Sequence, residues 1–149
     1  MSITHKSLFT RFFIAIALIL WNWGMCLAWP GKVVGVSDGD TITVLTQDKR
    51  EIRVRIYGVD CPEKNQDFGT KAKQFTSEKV YGRTVEIDPL AIDRHGRTVG
   101  MVAIDGANLS KMLIQSGMAW VYDDYCKMQE CQDWRTLQQA NVSQKRGIW

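Results

Sequence analysis

Histidine is nearly absent from this chain: there are two in 149 residues, and His95 is the only one beyond residue 28. Cysteine is scarce too, with four in all and only Cys61, Cys126 and Cys131 past that point. Two thiols at the spacing of Cys126 and Cys131, with one histidine elsewhere, do not complete the tetrahedral shell of a zinc centre. An excess of one charge is also missing. The 19 basic residues face 16 acidic ones. Lys6 and Arg11 lie in the first 28 residues, which hold no acid, so removing them leaves 17 against 16 and a net charge near +1. A protein that coats nucleic acid carries a far stronger field, so any polyanion must be held here by a local cluster. Internal repeats, low-complexity tracts and linkers do not occur either. The length then suits one domain of ordinary size.

Long hydrophobic runs are limited to one, Phe12 to Leu20. It follows the basic residues Lys6 and Arg11 and precedes Cys26-Leu27-Ala28, whose small last residue suits cleavage. This is the grammar of a secretory signal peptide over residues 1–28, with a mature chain from Trp29 to Trp149. Asn22 and Gly24 interrupt the run, leaving about 18 moderately apolar residues before Pro30, short for a membrane span. The expectation is an exported protein, in the periplasm or outside the cell, with no membrane attachment after cleavage. An oxidising compartment favours a Cys126–Cys131 disulfide and leaves Cys61 odd.

What the chain does have is concentrated between Ile52 and Glu63. Ile52, Val54 and Ile56 alternate with Arg53, Arg55 and Tyr57, the period of a half-buried strand with an apolar and a cationic face. The strand runs out at Gly58, and two carboxylates follow, Asp60 and Glu63, with Pro62 fixing the loop between them. Carboxylate oxygens hold a hard cation, and planar guanidinium forks pair two-pronged with phosphoryl oxygens. The combination suits a metal ion and a phosphate ester.

Around that stretch the chain reads as short elements. Gly31–Ser37 and Asp40–Leu45 are strands joined by an Asp38-Gly39 turn, and with the arginine strand they make a three-strand meander. Phe68, Ala72 and Phe75 fall at helical spacing, with Gly82 as the stop. Val85 and Ile87 mark a fourth strand ending near Pro89. Asp93-Arg94-His95-Gly96 is a turn, and Arg97 begins a fifth strand. Asn108 caps a short helix with Leu109, Met112 and Leu113 inward. A last helix, about Asp133 to Arg146, carries Trp134, Leu137 and Ala140. The strands and helices do not alternate as βαβ units would, so the class is α+β. Five short strands suit a small closed barrel of the OB-fold type.

The blocks Asp38-Gly39-Asp40-Thr41, Arg55, Val59-Asp60-Cys61-Pro62-Glu63, Asp93-Arg94-His95-Gly96-Arg97 and Arg146-Gly147-Ile148-Trp149 stand in an order and spacing that resemble the staphylococcal (thermonuclease-like) nuclease family. The resemblance runs from Gly31 to Trp149. It implies a five-stranded OB-fold β-barrel with three helices and calcium-dependent hydrolysis of phosphodiester bonds in DNA and RNA. Asp40 and Asp60 match the family's Ca²⁺ carboxylates, and the backbone carbonyl of Cys61 falls where a third oxygen is donated. Arg55, Glu63 and Arg97 match the catalytic residues. His95 stands where relatives carry an aromatic Tyr and could still meet a terminal phosphate. Tyr122 could stack a base, whereas Trp120, Met112 and Phe75 read as core. Asp38 reads as a turn former, and Lys64, Lys71 and Lys73 as a solvated helix face. No stable protein partner is implied, so the expected state is a monomer.

A different class remains: a non-catalytic OB-fold module that binds nucleic acid without cutting it. Retention of Asp40, Arg55, Asp60, Glu63 and Arg97 together favours the enzyme. A free Cys61 thiol beside a metal site also raises the expectation of oxidation.

Overall fold

The computed structural model describes residues 28–149; the expected signal peptide lies outside the described residues, apart from Ala28. The first strand, β1 (Trp29–Asp38), turns through Gly39 and Asp40 into β2 (Thr41–Leu45), and β3 (Glu51–Ile56) completes the expected meander. The helix α1 (Gly69–Val80) intervenes before β5 (Thr84–Ile92) and β6 (Thr98–Ile104), and the two-residue strand β4 (Val59–Asp60) precedes it. After β7 (Ala107–Asn108) come α2 (Leu109–Gln115), the short β8 (Trp120–Val121) and α3 (Glu130–Gln144).

The main sheet runs β3-β2-β1-β5-β6-β7, and a parallel pairing of β3 with β6 closes its five long strands into a barrel. This is the expected α+β OB-type barrel with three helices. Closure depends on curl. The β1–β2 register shifts twice, between Val33 and Gly35 and between Val36 and Asp38, and such bulges tighten strand twist. The barrel core is built from fully buried Val33, Ile42, Val44, Val54, Ile87 and Val102. Among the described residues, no helix is long and apolar enough to cross a membrane.

Four local expectations are corrected. β5 does not end near Pro89; it continues to Ile92, because its register with β6 shifts between Pro89 and Ala91 and a bulge tolerates a residue with no N–H. Tyr57 does not stay on the cationic face. The alternation of β3 ends at Ile56, and the Tyr57 ring is buried edge-on against Trp134 at 6.5 Å. On α1 the buried stripe is Ala72, Thr76 and Val80; Phe68 becomes the left-handed N-cap at φ 64° and Phe75 is half-buried. The last helix begins earlier, at Glu130, and buries Cys131, Trp134 and Asn141, leaving Ala140 exposed. Asn141 goes inward because its Nδ2 donates to the Ile114 carbonyl at 2.6 Å, satisfying a carbonyl at the end of α2. Asn108 does cap α2, accepting from the Lys111 N–H at 3.0 Å.

Candidate active site

One end of the barrel gathers the charged residues, and the strand registers explain why. Thr41 pairs with Arg55 across β2–β3, and Arg55 pairs with Val99 across β3–β6. Paired residues share a face of the sheet, so Arg97, two residues before Val99, lies on the face of Arg55 and Thr41. The acids come from the turn before β2 and from β4. A tight approach fixes that turn. A Cβ on Gly39 would meet Cys61 Sγ at 2.7 Å and Ala72 Cβ at 2.9 Å, so only glycine lets the turn rest on the Cys61 loop and α1. Thr76 Oγ1 donates to the Gly39 carbonyl at 2.5 Å and locks it there.

Arg55 is the hub. Its Nη1 is ion-paired with Asp40 Oδ1, its Nη2 with Asp60 Oδ1 at 2.7 Å, and Nη2 also donates to the Val59 carbonyl at 3.1 Å. The Arg55 and Asp40 side chains are 13% and 6% exposed, while Asp60 keeps 34%. The site therefore opens to solvent on the Asp60 side. The other Asp40 oxygen, Oδ2, accepts the Cys61 N–H at 2.8 Å, and Thr41 Oγ1 donates to Oδ1 at 3.1 Å.

Arg97 is oriented from its own turn. Its backbone N–H donates to Asp93 Oδ1 at 3.0 Å and its Nε to Asp93 Oδ2 at 2.7 Å, while the His95 N–H also donates to Oδ1 at 2.8 Å. Partial burial works against the charged form of Asp93, but these hydrogen bonds from Arg97 and His95 outweigh it and hold the carboxyl down at about 2. The free end of Arg97 then reaches Thr41 Oγ1 at 3.4 Å. Glu63 is exposed and is placed by its backbone: its N–H donates to Gln66 Oε1 at 2.7 Å and its carbonyl accepts from Gln66 at 2.8 Å. Gly69 lets that carbonyl come close, since a Cβ there would lie 1.9 Å from it.

The sequence thus named Asp40, Arg55, Asp60 and Cys61, which the structure brings into direct contact, and Arg97, which joins them through Thr41. Glu63 is three residues beyond Asp60 on the exposed loop, where its backbone is held by Gln66. His95 is exposed at the tip of the β5–β6 turn, where its ring accepts from Arg94 Nε at 3.1 Å. Tyr122 is exposed beyond β8 and packs on Tyr125. Two positioning residues were missed, Thr41 and Asp93. An acid four residues before an arginine in a Gly-containing turn was the available signal for Asp93. The oxidation expected of Cys61 is not favoured by its setting, because the thiol is buried and burial pushes its pKa well up, against the opposing pull of Arg55. Cys126 and Cys131 are disulfide-bonded, with Cα atoms 5.8 Å apart.

The donor set can be tested against a cation. Among the described residues, no group of three or more His, Cys, Asp or Glu side chains is arranged to hold a metal. What the site offers is the oxygen chemistry of Asp40 and Asp60, both bonded to one guanidinium and therefore close together. Among the described residues, the one buried side-chain oxygen without a hydrogen-bond partner is Asp38 Oδ1, in the same turn as Asp40. Hard oxygens with an unsatisfied one nearby fit a calcium-type ion that completes its shell with backbone oxygen and water, and do not fit zinc.

A closed OB-type barrel with paired arginines and acids at one end defines a nuclease of the staphylococcal type. Residues 53–149 match the family model described as staphylococcal nuclease homologue, and the chain belongs to that family. It is 36% identical over 141 residues to a protein of Escherichia coli O157:H7 called an uncharacterized endonuclease, covering 93% of this chain and 90% of that one. It is also 34% identical over 128 residues to a micrococcal nuclease of Shigella flexneri, covering 80% and 72%. An uncharacterized endonuclease of Haemophilus influenzae is 40% identical over 94 residues, covering 63% and 53%.

Proposed function

We propose that this nuclease is an exported, monomeric, calcium-dependent phosphodiesterase that cuts DNA and RNA internally. The observation that carries the reading is the Arg55 guanidinium bonded to both Asp40 and Asp60 in a largely buried setting, with Arg97 joined to the same network. Buried like charges are held together only where a cation compensates them, and that arrangement suits a site for a cation and an anion side by side.

Asp40, Asp60 and the Cys61 backbone carbonyl would hold calcium. When bound, the ion supplies positive charge against a phosphate oxygen and lowers the cost of bringing in a hydroxide nucleophile. Arg55 and Arg97 pair with phosphoryl oxygens in fixed geometry as charge builds on phosphorus. Asp93 keeps the Arg97 fork from collapsing into solvent. Glu63, exposed and close in sequence to Asp60, orients and deprotonates the attacking water.

The test is incubation of the protein from Trp29 onward with single- and double-stranded DNA and RNA, with Ca²⁺ or with chelator. Cleavage of both nucleic acids that disappears with chelator supports the reading. Binding without cleavage in calcium would replace it with a non-catalytic OB-fold module.

A further inference from the structure

The strand that carries Arg55 holds a second guanidinium that the proposed chemistry leaves unused. Arg53 and Arg55 are two positions apart on β3, so both project from the face opposite buried Val54 and Ile56. Two residues of extended chain separate them by about 7 Å. Arg55 turns into the acids of the site, whereas Arg53 is exposed. Every other arginine among the described residues bonds to a side chain of the protein, even on the open surface, where Arg50 takes Asp48, Arg83 takes Asp105 and Arg135 takes Asp123. Arg53 has no such hydrogen bond or ion pair among the described residues.

A free surface cation is ordinary by itself; the surroundings of this one are not. Arg53 pairs with Thr43 across β2–β3, and Thr43 pairs with Gly35 across β1–β2. That row offers no side chain, then a small one, then the guanidinium. A Cβ on Gly35 would do no more than touch Thr43 Cβ at 3.4 Å, so packing does not demand the glycine, and its absent side chain leaves a low floor beside Arg53. On the other side, Val54 pairs with Thr98, which sets Arg97 level with Arg53 across the β3–β6 closure. The Arg97 guanidinium is engaged by Asp93 and Thr41, so it neither neutralises Arg53 nor is neutralised by it. The acid on this face of β3 is Glu51, two residues before Arg53 and opposite Leu45, and it is not bonded to Arg53. The outward row therefore reads Arg55, Arg53, then an acid that repels anything negative beyond. It has room for one anion past the one at Arg55.

A polynucleotide with one phosphate at Arg55 and Arg97 carries its next phosphate a nucleotide away. In an extended strand that separation is close to the spacing of side chains on alternate strand positions. We infer that Arg53 is a substrate-binding residue that takes the phosphate next to the scissile one, and so favours chains over isolated diesters. The inference rests on the active site proposed above. The phosphate at Arg53 does not react, so its charge is the same before and during the chemical step. Arg53 therefore lowers KM and leaves kcat alone, unlike Arg55 and Arg97.

The experiment compares Arg53→Gln, Arg53→Lys and the unaltered protein on a single-stranded oligonucleotide and on a dinucleoside monophosphate, whose one phosphate is the scissile one. Losing one phosphate contact to a single strand lowers the slope of log KM against log salt by about 0.7, which is about fivefold in KM at 0.1 M salt. Arg53→Gln should show that rise on the oligonucleotide with little change in kcat, and none on the dinucleoside monophosphate. Arg53→Lys should restore most of the difference, because a single exposed phosphate contact needs charge more than a fork. Arg83→Gln, which removes an exposed arginine at the start of β5, should leave KM and slope alone on both substrates. An unchanged oligonucleotide KM in Arg53→Gln, or an equal loss on both substrates, overturns the inference. A second readout separates it from the nuclease reading: the Kd of a fluorescently labelled single strand in chelator, where nothing is cut, against salt. If the unaltered protein cleaves neither substrate, the nuclease reading fails, and the Kd slope still decides the phosphate contact, with equal slopes in Arg53→Gln and the unaltered protein counting against it.

Discussion

Arg97 donates to Thr41 across the barrel, Nη1 to Oγ1 at 3.4 Å, and the Thr41 hydroxyl in turn donates a hydrogen bond to Asp40 Oδ1 at 3.1 Å. Asp40 is ion-paired with Arg55, and Arg55 with Asp60. Two arginines and two acids from four separate parts of the chain are thus joined through one hydroxyl. The parallel closure of β3 on β6 is what makes the junction, since it brings the start of β6 beside the end of β3.

Arg97 should therefore matter to turnover more than to substrate binding. Losing one preorganised donor to a charged transition state costs about 10²–10³ in rate, and Arg97→Ala should show at least that fall in kcat at saturating substrate and calcium. Lysine should rescue poorly, because a point charge cannot replace the planar fork. Turnover within about threefold of the unaltered enzyme would sink the assignment and leave Arg97 as a turn residue.

The partner of that arginine gives a pH test. In the folded protein Asp93 is held at about 2, below its ordinary 3.8, so folding favours its charged form. Its contribution is fully present above about pH 4 and is lost as pH falls through the window between the two values. Asp93→Asn should lower the urea midpoint at pH 7, and the gap from the unaltered protein should narrow from pH 4 towards pH 2. A gap that stays constant over that window would show that the carboxylate's charge is not what the turn uses.

The repeating parts of the fold were legible and its junctions were not. Alternation along Ile52–Ile56, the Asp38-Gly39 turn and the Asn108 cap follow from local rules, and each appears in the structure. Tyr57 and Asn141 broke those rules because long-range partners, Trp134 and the Ile114 carbonyl, decided where they point. β5 outran Pro89 because a bulge absorbed the missing N–H, which no single sequence announces. At the site, the residue types were visible, since acids and arginines stand out against short apolar strands. Their mutual contacts were not, because the β3–β6 pairing joins positions more than 40 residues apart.

The proposed export can be measured in two ways. If residues 1–28 are a signal peptide, the exported protein should begin within a few residues of Trp29. Intact mass is the check, and exported protein still carrying Met1 would reject the cleavage.

In that mature protein the thiols should follow the fold. Cys126 and Cys131 are bonded and Cys61 is buried, so alkylation under native, non-reducing conditions should label none, and denaturation without reductant should reveal one. The bridge closes a loop of only a few residues, so reducing it should cost about 2 kcal/mol, near the low end for disulfides. Two or more reactive thiols before reduction would reject the pairing.

Arg55 offers the sharpest test, because its removal should separate stability from catalysis. The guanidinium is the charge that compensates Asp40 and Asp60, and Arg55 and Asp40 are nearly buried. Deleting one partner of a buried pair costs about 3–5 kcal/mol, so Arg55→Ala should melt well below the unaltered protein in calcium-free buffer. With the guanidinium gone, both carboxylates are free for a cation and the folded state gains more from binding one. Calcium should therefore raise the Tm of Arg55→Ala by more than it raises that of the unaltered protein. Turnover should still fall at least about 10²-fold at saturating calcium, since the ion restores charge but not the fork on the phosphate. Asp40→Ala should behave in the opposite way, needing more calcium for half-maximal activity. An Arg55→Ala protein whose Tm responds to calcium no more than the unaltered one would mean that Asp40 and Asp60 do not hold the metal.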